Sequence, residues 1–230
     1  MKSGVRGVIF DFNGTMFLDG EFQEAAWRSY FASRTSRELT EQDFRDHIHG
    51  VPASLVIEYV LGRPATADEL AAVEYDREAV YRRIVSEQAT PDSLVPGLPA
   101  FLDELKRRGI PCVVATSSPI ENVRFYFERL GIARWFTLDD VEYDKGTYPG
   151  KPNPDIFEHA AARMGLAARD CAVFEDAPSG IEAARRAGAP TIVGVQAEFD
   201  GSFLLSLPGT THTIADYRDL DALFALLGLS

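Results

Sequence analysis

Four short stretches of this chain carry residues able to do chemistry on phosphorus. The first, Val8-Ile9-Phe10-Asp11-Phe12-Asn13-Gly14-Thr15, is an apolar run that stops on an acidic, glycine-containing turn. The others lie far downstream: Val113-Val114-Ala115-Thr116, Gly150-Lys151-Pro152 and Val173-Phe174-Glu175-Asp176. A carboxylate at a strand end, such as Asp11, can attack phosphorus and split a transfer into two steps. The Thr116 hydroxyl, with Ser117 and the amides that follow it at a helix start, can hold a phosphoryl oxygen. Lys151 is one of four lysines in the chain and is pinned between glycine and proline. It is suited to neutralise a nucleophile and a transferring phosphoryl group. Glu175 and Asp176 are adjacent carboxylates, a costly pair unless a cation holds them together. Magnesium prefers such a set, a few carboxylates completed by water and phosphate oxygens. Taken singly, each residue reads as a turn aspartate, a helix cap or a solvated lysine. In this order they read as a magnesium-dependent phosphoryl-transfer site.

The elements around these residues are those of an open sheet. Strands are expected at Val5–Phe12, Cys112–Thr116, Cys171–Glu175 and Thr191–Val195, with weaker ones at Trp135–Leu138 and His212–Ile214. Their length and β-branched content suit strands buried on both faces of a parallel sheet. Amphipathic helices alternate with them, such as Leu98–Arg108 before Gly109 and Pro178–Ala187 before Gly188. After the second strand, Ser118, Pro119 and Glu121 read as a capping box opening a helix. This alternation predicts a doubly wound α/β fold. Residues 17–91 interrupt it with four helical stretches, Glu21–Ser33, Thr40–Ile48, Ser54–Leu61 and Ala67–Glu87, and no convincing strand. They are expected to form a separate helical cap, hinged at Met16–Gly20 and Ala89–Gly97, on a core of residues 1–16 and 92–230. Trp27, Tyr30 and Phe31 are its candidate core.

The four motifs resemble the haloacid dehalogenase-like hydrolase superfamily, in particular its beta-phosphoglucomutase-like members with a helical cap, and the resemblance covers nearly the whole chain. It implies that Asp11 is the nucleophile and forms an aspartyl-phosphate. It also implies that Asp11 and Asp176 bind magnesium directly, that Asn13 adds its backbone carbonyl, and that Glu175 supports the site. His47 and His49 flank Ile48 just before Gly50-Val51, the loop that reads substrates in caps of this kind, and His49 is the candidate substrate contact. The cap has no lysine between Met16 and Pro91, which excludes the cap Schiff base of phosphonoacetaldehyde hydrolases. Metal-free haloacid dehalogenases fit poorly with the Glu175-Asp176 pair. Beta-phosphoglucomutases carry a hinge histidine where this chain has Gln23, and an arginine where it has Ala53; both weaken the mutase reading.

Asn13 departs from the pattern. Related phosphatases place an aspartate there, which protonates the leaving oxygen and then activates water. An amide does neither, and loss of such a group typically costs ~10²–10⁴-fold. Three readings stay open: Asp19 in the hinge substitutes as acid/base, the substrates have leaving groups that need no acid, or the residue is an engineered change. The expected activity is hydrolysis of a small phosphorylated metabolite. A sugar-phosphate mutase and a non-hydrolytic phosphometabolite binder are the alternatives.

Composition sets the remaining bounds. The 230 residues carry a net charge of −12, with 46% hydrophobic and 25% charged positions. Such an acidic chain argues against nucleic acid or an anionic membrane as partner, so phosphate must be drawn by local charge and the metal. Two cysteines, Cys112 and Cys171, make no disulfide framework and read as buried thiols. With no signal peptide and no apolar run of membrane-spanning length, a cytoplasmic monomer is expected.

Overall fold

The computed structural model describes residues 5–49, 51 and 53–229. They divide into two compact units, Met1–Leu18 with Pro91–Ser230, and Asp19–Thr90. The first unit is built on a six-stranded parallel sheet. Its strands are β1 (Gly7–Phe10), β2 (Cys112–Thr116), β3 (Val141–Tyr143), β4 (Cys171–Glu175), β5 (Thr191–Val195) and β6 (His212–Ile214). Their spatial order is β3-β2-β1-β4-β5-β6, every pair parallel. Chain order therefore reverses between β1 and β4, and ligands of doubly wound sheets bind at the carboxyl edge of such a switch point. Phe10 is in register with Val114 on one side and Phe174 on the other. Asp11 thus emerges level with the ends of β2 and β4.

Alternation along β1 fills two half-cores. Ile9 packs with Val113, Val173, Phe157 and Ile181. Phe10 points to the other face, where its ring lies 5.1 Å from Phe174 and 6.1 Å from Phe101. The helix Leu98–Arg107 closes that face with Leu98, Phe101, Leu102 and Leu105 buried, an i, i+3, i+4, i+7 stripe. Burying each such side chain contributes roughly 1.5–3 kcal/mol. The strands expected at Cys112–Thr116, Cys171–Glu175, Thr191–Val195 and His212–Ile214 are found with those limits.

Three local expectations change. β1 starts at Gly7 because Val5 and Arg6 give their N–H groups to loops, at Leu227 O and Asp170 O. Trp135–Leu138 is no strand: Thr137 receives the Asp140 carboxylate on its N–H and hydroxyl, closing a 3₁₀ turn, and β3 begins only at Val141. Phe17 belongs to the sheet unit, bridging Leu94 while the Met16 carbonyl accepts from Val95 N–H. The helical segment therefore runs from Asp19 to Thr90 instead of 17–91.

The second unit is helical. Gly20–Ala32, Ala53–Leu61 and Glu78–Gln88 are its longer helices, around a core of Trp27, Tyr30, Phe31, Phe44, Ile57 and Val73. The expected continuous helices Thr40–Ile48 and Ala67–Glu87 each contain a wide π turn, Phe44–Ile48 and Val73–Arg77. The first keeps Phe44 and Ile48 both in the core. No helix of the described residues is long and apolar enough to cross a membrane.

Candidate active site

Asp11 leaves β1 with its N–H bonded to Phe174 O at 2.9 Å, which fixes its backbone against β4. The carboxylate is buried and its Oδ1 accepts from Lys151 Nζ at 2.6 Å. The same ammonium donates to Glu175 Oε1 at 2.7 Å and to Ala115 O at 3.4 Å. One cation thereby ties the ends of β1, β2 and β4. Burial alone would push the Lys151 ammonium toward neutrality, but Asp11 and Glu175 outweigh it and hold the lysine well above its usual range. It stays charged.

Glu175 is held from its other side by the Ala177 N–H, which donates to Oε2 at 2.7 Å. Gly180, in the first turn of the helix Pro178–Arg186, leaves room for that carboxylate; a Cβ there would stand 1.7 Å from Glu175 Oε1. Asp176 turns toward the β1 loop, where Thr15 donates to its Oδ1 at 3.2 Å. Gly14 has φ +77°, and a Cβ on it would lie 2.1 Å from Asp176 Oδ2, so this position excludes any other residue on two counts. Asp11, Glu175 and Asp176 each bring a carboxylate oxygen within 4.8 Å of the others. Three hard oxygen donors around a cradle that glycine keeps open fit a divalent cation such as magnesium.

Thr116 is buried at the end of β2, and its Oγ1 accepts from Ser118 N–H at 3.1 Å. Ser117 between them is exposed. The expected capping box is absent: the helix Ile120–Arg129 starts from Pro119 with no side-chain cap. Ser118 Oγ is committed elsewhere, donating to Asn13 Oδ1 at 2.8 Å and lying 3.1 Å from Tyr126 OH. Asn13 Nδ2 in turn donates to Tyr126 OH at 3.1 Å. Tyr217, buried beneath the loop, donates to Thr15 O at 3.1 Å. Burial first, then Asp11 and Asp176, raise its phenol well above the usual range, so it remains a neutral donor.

Asp19 and His49 belong to the helical unit. The buried Asp19 carboxylate accepts from Tyr81 OH at 2.6 Å and Gln23 Nε2 at 2.8 Å. Gln23 Oε1 accepts from Arg77, which also pairs with Glu78. His49 Nε2 lies 3.1 Å from Glu24 Oε1; Gly50, which follows it, lies outside the described residues. His47 stacks on Tyr59 and Arg45 bonds Gln42, both at the unit's surface. Sequence reasoning missed Thr15, Tyr126 and Tyr217. Thr15 stands in the same turn as Asp11, whereas Tyr126 and Tyr217 are ordinary helix and loop aromatics with no sequence mark of proximity.

Residues 5–188 match the haloacid dehalogenase-like hydrolase family. The chain belongs to that family. Within it, the chain is 30% identical over 191 residues to beta-phosphoglucomutase of Bacillus subtilis (strain 168), covering 80% of each protein. It is 28% identical to hexitol phosphatase A of Escherichia coli (strain K12), covering 91% of both. A crystal structure of a HAD hydrolase, family IA, variant 3, from Entamoeba histolytica superposes with a TM-score of 0.89 at 27% identity, over 97% of this chain and 99% of that one. The sequence-based assignment to the beta-phosphoglucomutase-like subgroup and to a doubly wound α/β fold agrees with these likenesses.

Proposed function

We propose that this enzyme is a magnesium-dependent phosphatase of a small phosphorylated metabolite, acting through an aspartyl-phosphate on Asp11. The observation that carries the reading is the Lys151 ammonium, bonded to both Asp11 and Glu175 beside a three-carboxylate cluster. A nucleophile, a fixed positive charge and a cation site at one sheet edge are the parts that phosphoryl transfer requires. The named activities of relatives, a hexitol phosphatase and a sugar-phosphate mutase, point to phosphorylated carbohydrates as the first substrates to try.

Asp11 and Asp176, with the Asn13 backbone carbonyl and support from Glu175, would hold the magnesium. When bound, the ion supplies positive charge to the phosphoryl oxygens. In the first step an Asp11 oxygen attacks phosphorus and the bond to the leaving oxygen breaks. Lys151 holds Oδ1 throughout, and the Thr116 hydroxyl with the Ser117 amide offers donors to the transferring group. In the second step water attacks phosphorus, freeing phosphate and the Asp11 carboxylate. The Asn13 amide gives no proton to the leaving oxygen, so acyl phosphates and other substrates with good leaving groups should turn over best. The mutase reading draws on the Bacillus subtilis relative. Against it, Gln23 has no titratable ring and bonds Asp19 and Arg77.

A phosphate-release screen with magnesium over sugar and hexitol phosphates, nucleotides, acyl phosphates and pyrophosphate tests the proposal. Release lost in Asp11→Ala supports it. Tight binding of a phosphometabolite with no turnover of any compound would assign the protein as a binder instead.

A further inference from the structure

Asn13, Ser118 and Tyr126 close a ring of hydrogen bonds. Ser118 Oγ donates to Asn13 Oδ1 at 2.8 Å. Asn13 Nδ2 donates to Tyr126 OH at 3.1 Å. The Tyr126 hydroxyl lies 3.1 Å from Ser118 Oγ and 3.4 Å from Asn13 Oδ1, and with the Ser118 proton given to Asn13 it is the donor that closes the ring. A head-to-tail ring of this kind polarises each of its members and gains more than the same bonds made singly.

Both hydroxyls are held in place for it. The Tyr126 ring is buried and lies flat on Phe12, 4.2 Å between centroids and 12° between planes, and Phe12 is the residue between Asp11 and Asn13. Ser118 is anchored by its N–H on Thr116 Oγ1 and leaves its helix start without a side-chain cap, although serine is among the preferred caps. The ring also needs an amide. A carboxylate at position 13 has no N–H to give Tyr126, so both hydroxyls would have to point at it as donors.

We propose that Ser118 and Tyr126 are positioning residues that fix the Asn13 side chain toward the helix Ile120–Arg129. A carboxylate introduced at position 13 would be captured by the two hydroxyls and kept turned toward the helix. Restoring a group able to serve the leaving oxygen takes two changes, Asn13→Asp and removal of a ring hydroxyl.

The inference rests on the phosphatase reading only for its kinetic arm. A double-mutant cycle compares the parent, Asn13→Asp, Tyr126→Phe and the pair, with kcat and KM measured on an alkyl phosphate and on acetyl phosphate. Asn13→Asp alone should raise kcat on the alkyl phosphate by less than ~10-fold, and adding Tyr126→Phe should raise it by a further ~10-fold or more. Tyr126→Phe with Asn13 present should give no such gain, and acetyl phosphate should respond little. Ser118→Ala replaces Tyr126→Phe if the latter does not fold. A full ~10²–10⁴-fold gain from Asn13→Asp alone, or equal effects of Tyr126→Phe in both backgrounds, overturns the proposal. The second arm needs no turnover: the Asn13 side-chain amide resonances, assigned by their loss in Asn13→Asp, should shift in Ser118→Ala and in Tyr126→Phe. Unmoved resonances overturn the ring whatever the kinetics. Shifted resonances with no turnover on any phosphate reject the phosphatase reading and leave the ring standing.

Discussion

Lys151 Nζ lies 2.6 Å from Asp11 Oδ1, with both side chains buried. The contact sets the charge of the site before any substrate arrives. Without the ammonium, Asp11 and Glu175 would face each other as uncompensated carboxylates. Lys151→Met should therefore act twice. Breaking a buried pair by removing one partner costs about 3–5 kcal/mol, read by denaturant unfolding with metal chelated. Turnover should fall by ~10²-fold or more, as when one preorganised charge is taken from a transition state. Magnesium should recover part of the stability and little of the turnover, since the ammonium that Asp11 bonds would still be missing. Full activity in Lys151→Met would remove the lysine from the mechanism.

The cation site makes a second prediction. Magnesium should raise the melting temperature of the parent, and chelation should abolish phosphate release. Asp176→Asn should weaken both effects, because the carboxylate is one of three donors in the cluster. Gly14→Ala should do the same without touching a ligand, since its Cβ would meet Asp176 Oδ2 at 2.1 Å on a backbone with positive φ. Titration of magnesium against melting temperature checks all three proteins. A Gly14→Ala protein that binds magnesium like the parent would defeat this account of the turn.

A third prediction concerns acid. Glu142 on β3 is buried and accepts from Lys145 at 2.6 Å, Arg163 at 2.7 Å and Tyr148 at 2.9 Å. Burial alone would raise its carboxyl, but the hydrogen bonds from Lys145, Arg163 and Tyr148 override it and hold the group below its ordinary value of 4.5. A carboxyl depressed by folding adds stability above its unfolded value and loses it as pH falls through the folded one. The parent should therefore lose stability below about pH 4.5. Glu142→Gln should be less stable at neutral pH and show a shallower decline on the acid side. Melting temperature against pH for the two proteins measures the difference.

The legible part of the site is the part written at strand ends. Asp11, Thr116 and the Glu175-Asp176 pair each close an apolar run, and the sheet register brings such ends together without further information. Lys151 stands out by scarcity and by its glycine and proline neighbours. The outlines of β2, β4 and β5 were legible for the same reason, because five largely apolar residues between turn signals have few other uses. What escaped depends on tertiary distance. Tyr126 meets Asn13 across 113 residues, and nothing local distinguishes it from any other core aromatic. Ser118 looked like a helix cap because its neighbours have the spacing of one, and a long-range partner took its hydroxyl. The π turns at Phe44–Ile48 and Val73–Arg77 are invisible to a helical period that shifts by one residue.

Asp19 is the remaining carboxylate for which the sequence offered a chemical role, as substitute acid/base for the position held by Asn13. Inside its own unit it is already occupied: Tyr81 and Gln23 both donate to Oδ2. A buried carboxylate with two such donors is a keystone of the polar cluster that also holds Arg77 and Glu78. Removing a buried partner of this kind costs about 1–3 kcal/mol. Asp19→Asn and Tyr81→Phe should therefore lower unfolding stability by similar amounts. At saturating substrate, and at a temperature where both variants are folded, kcat should fall less than ~10-fold, well short of the ~10²–10⁴ that loss of a general acid produces. Denaturant unfolding and kcat on alkyl phosphates, measured on the same preparations, separate the two roles. A stable Asp19→Asn protein with kcat down by ~10²-fold or more would instead make Asp19 the acid/base.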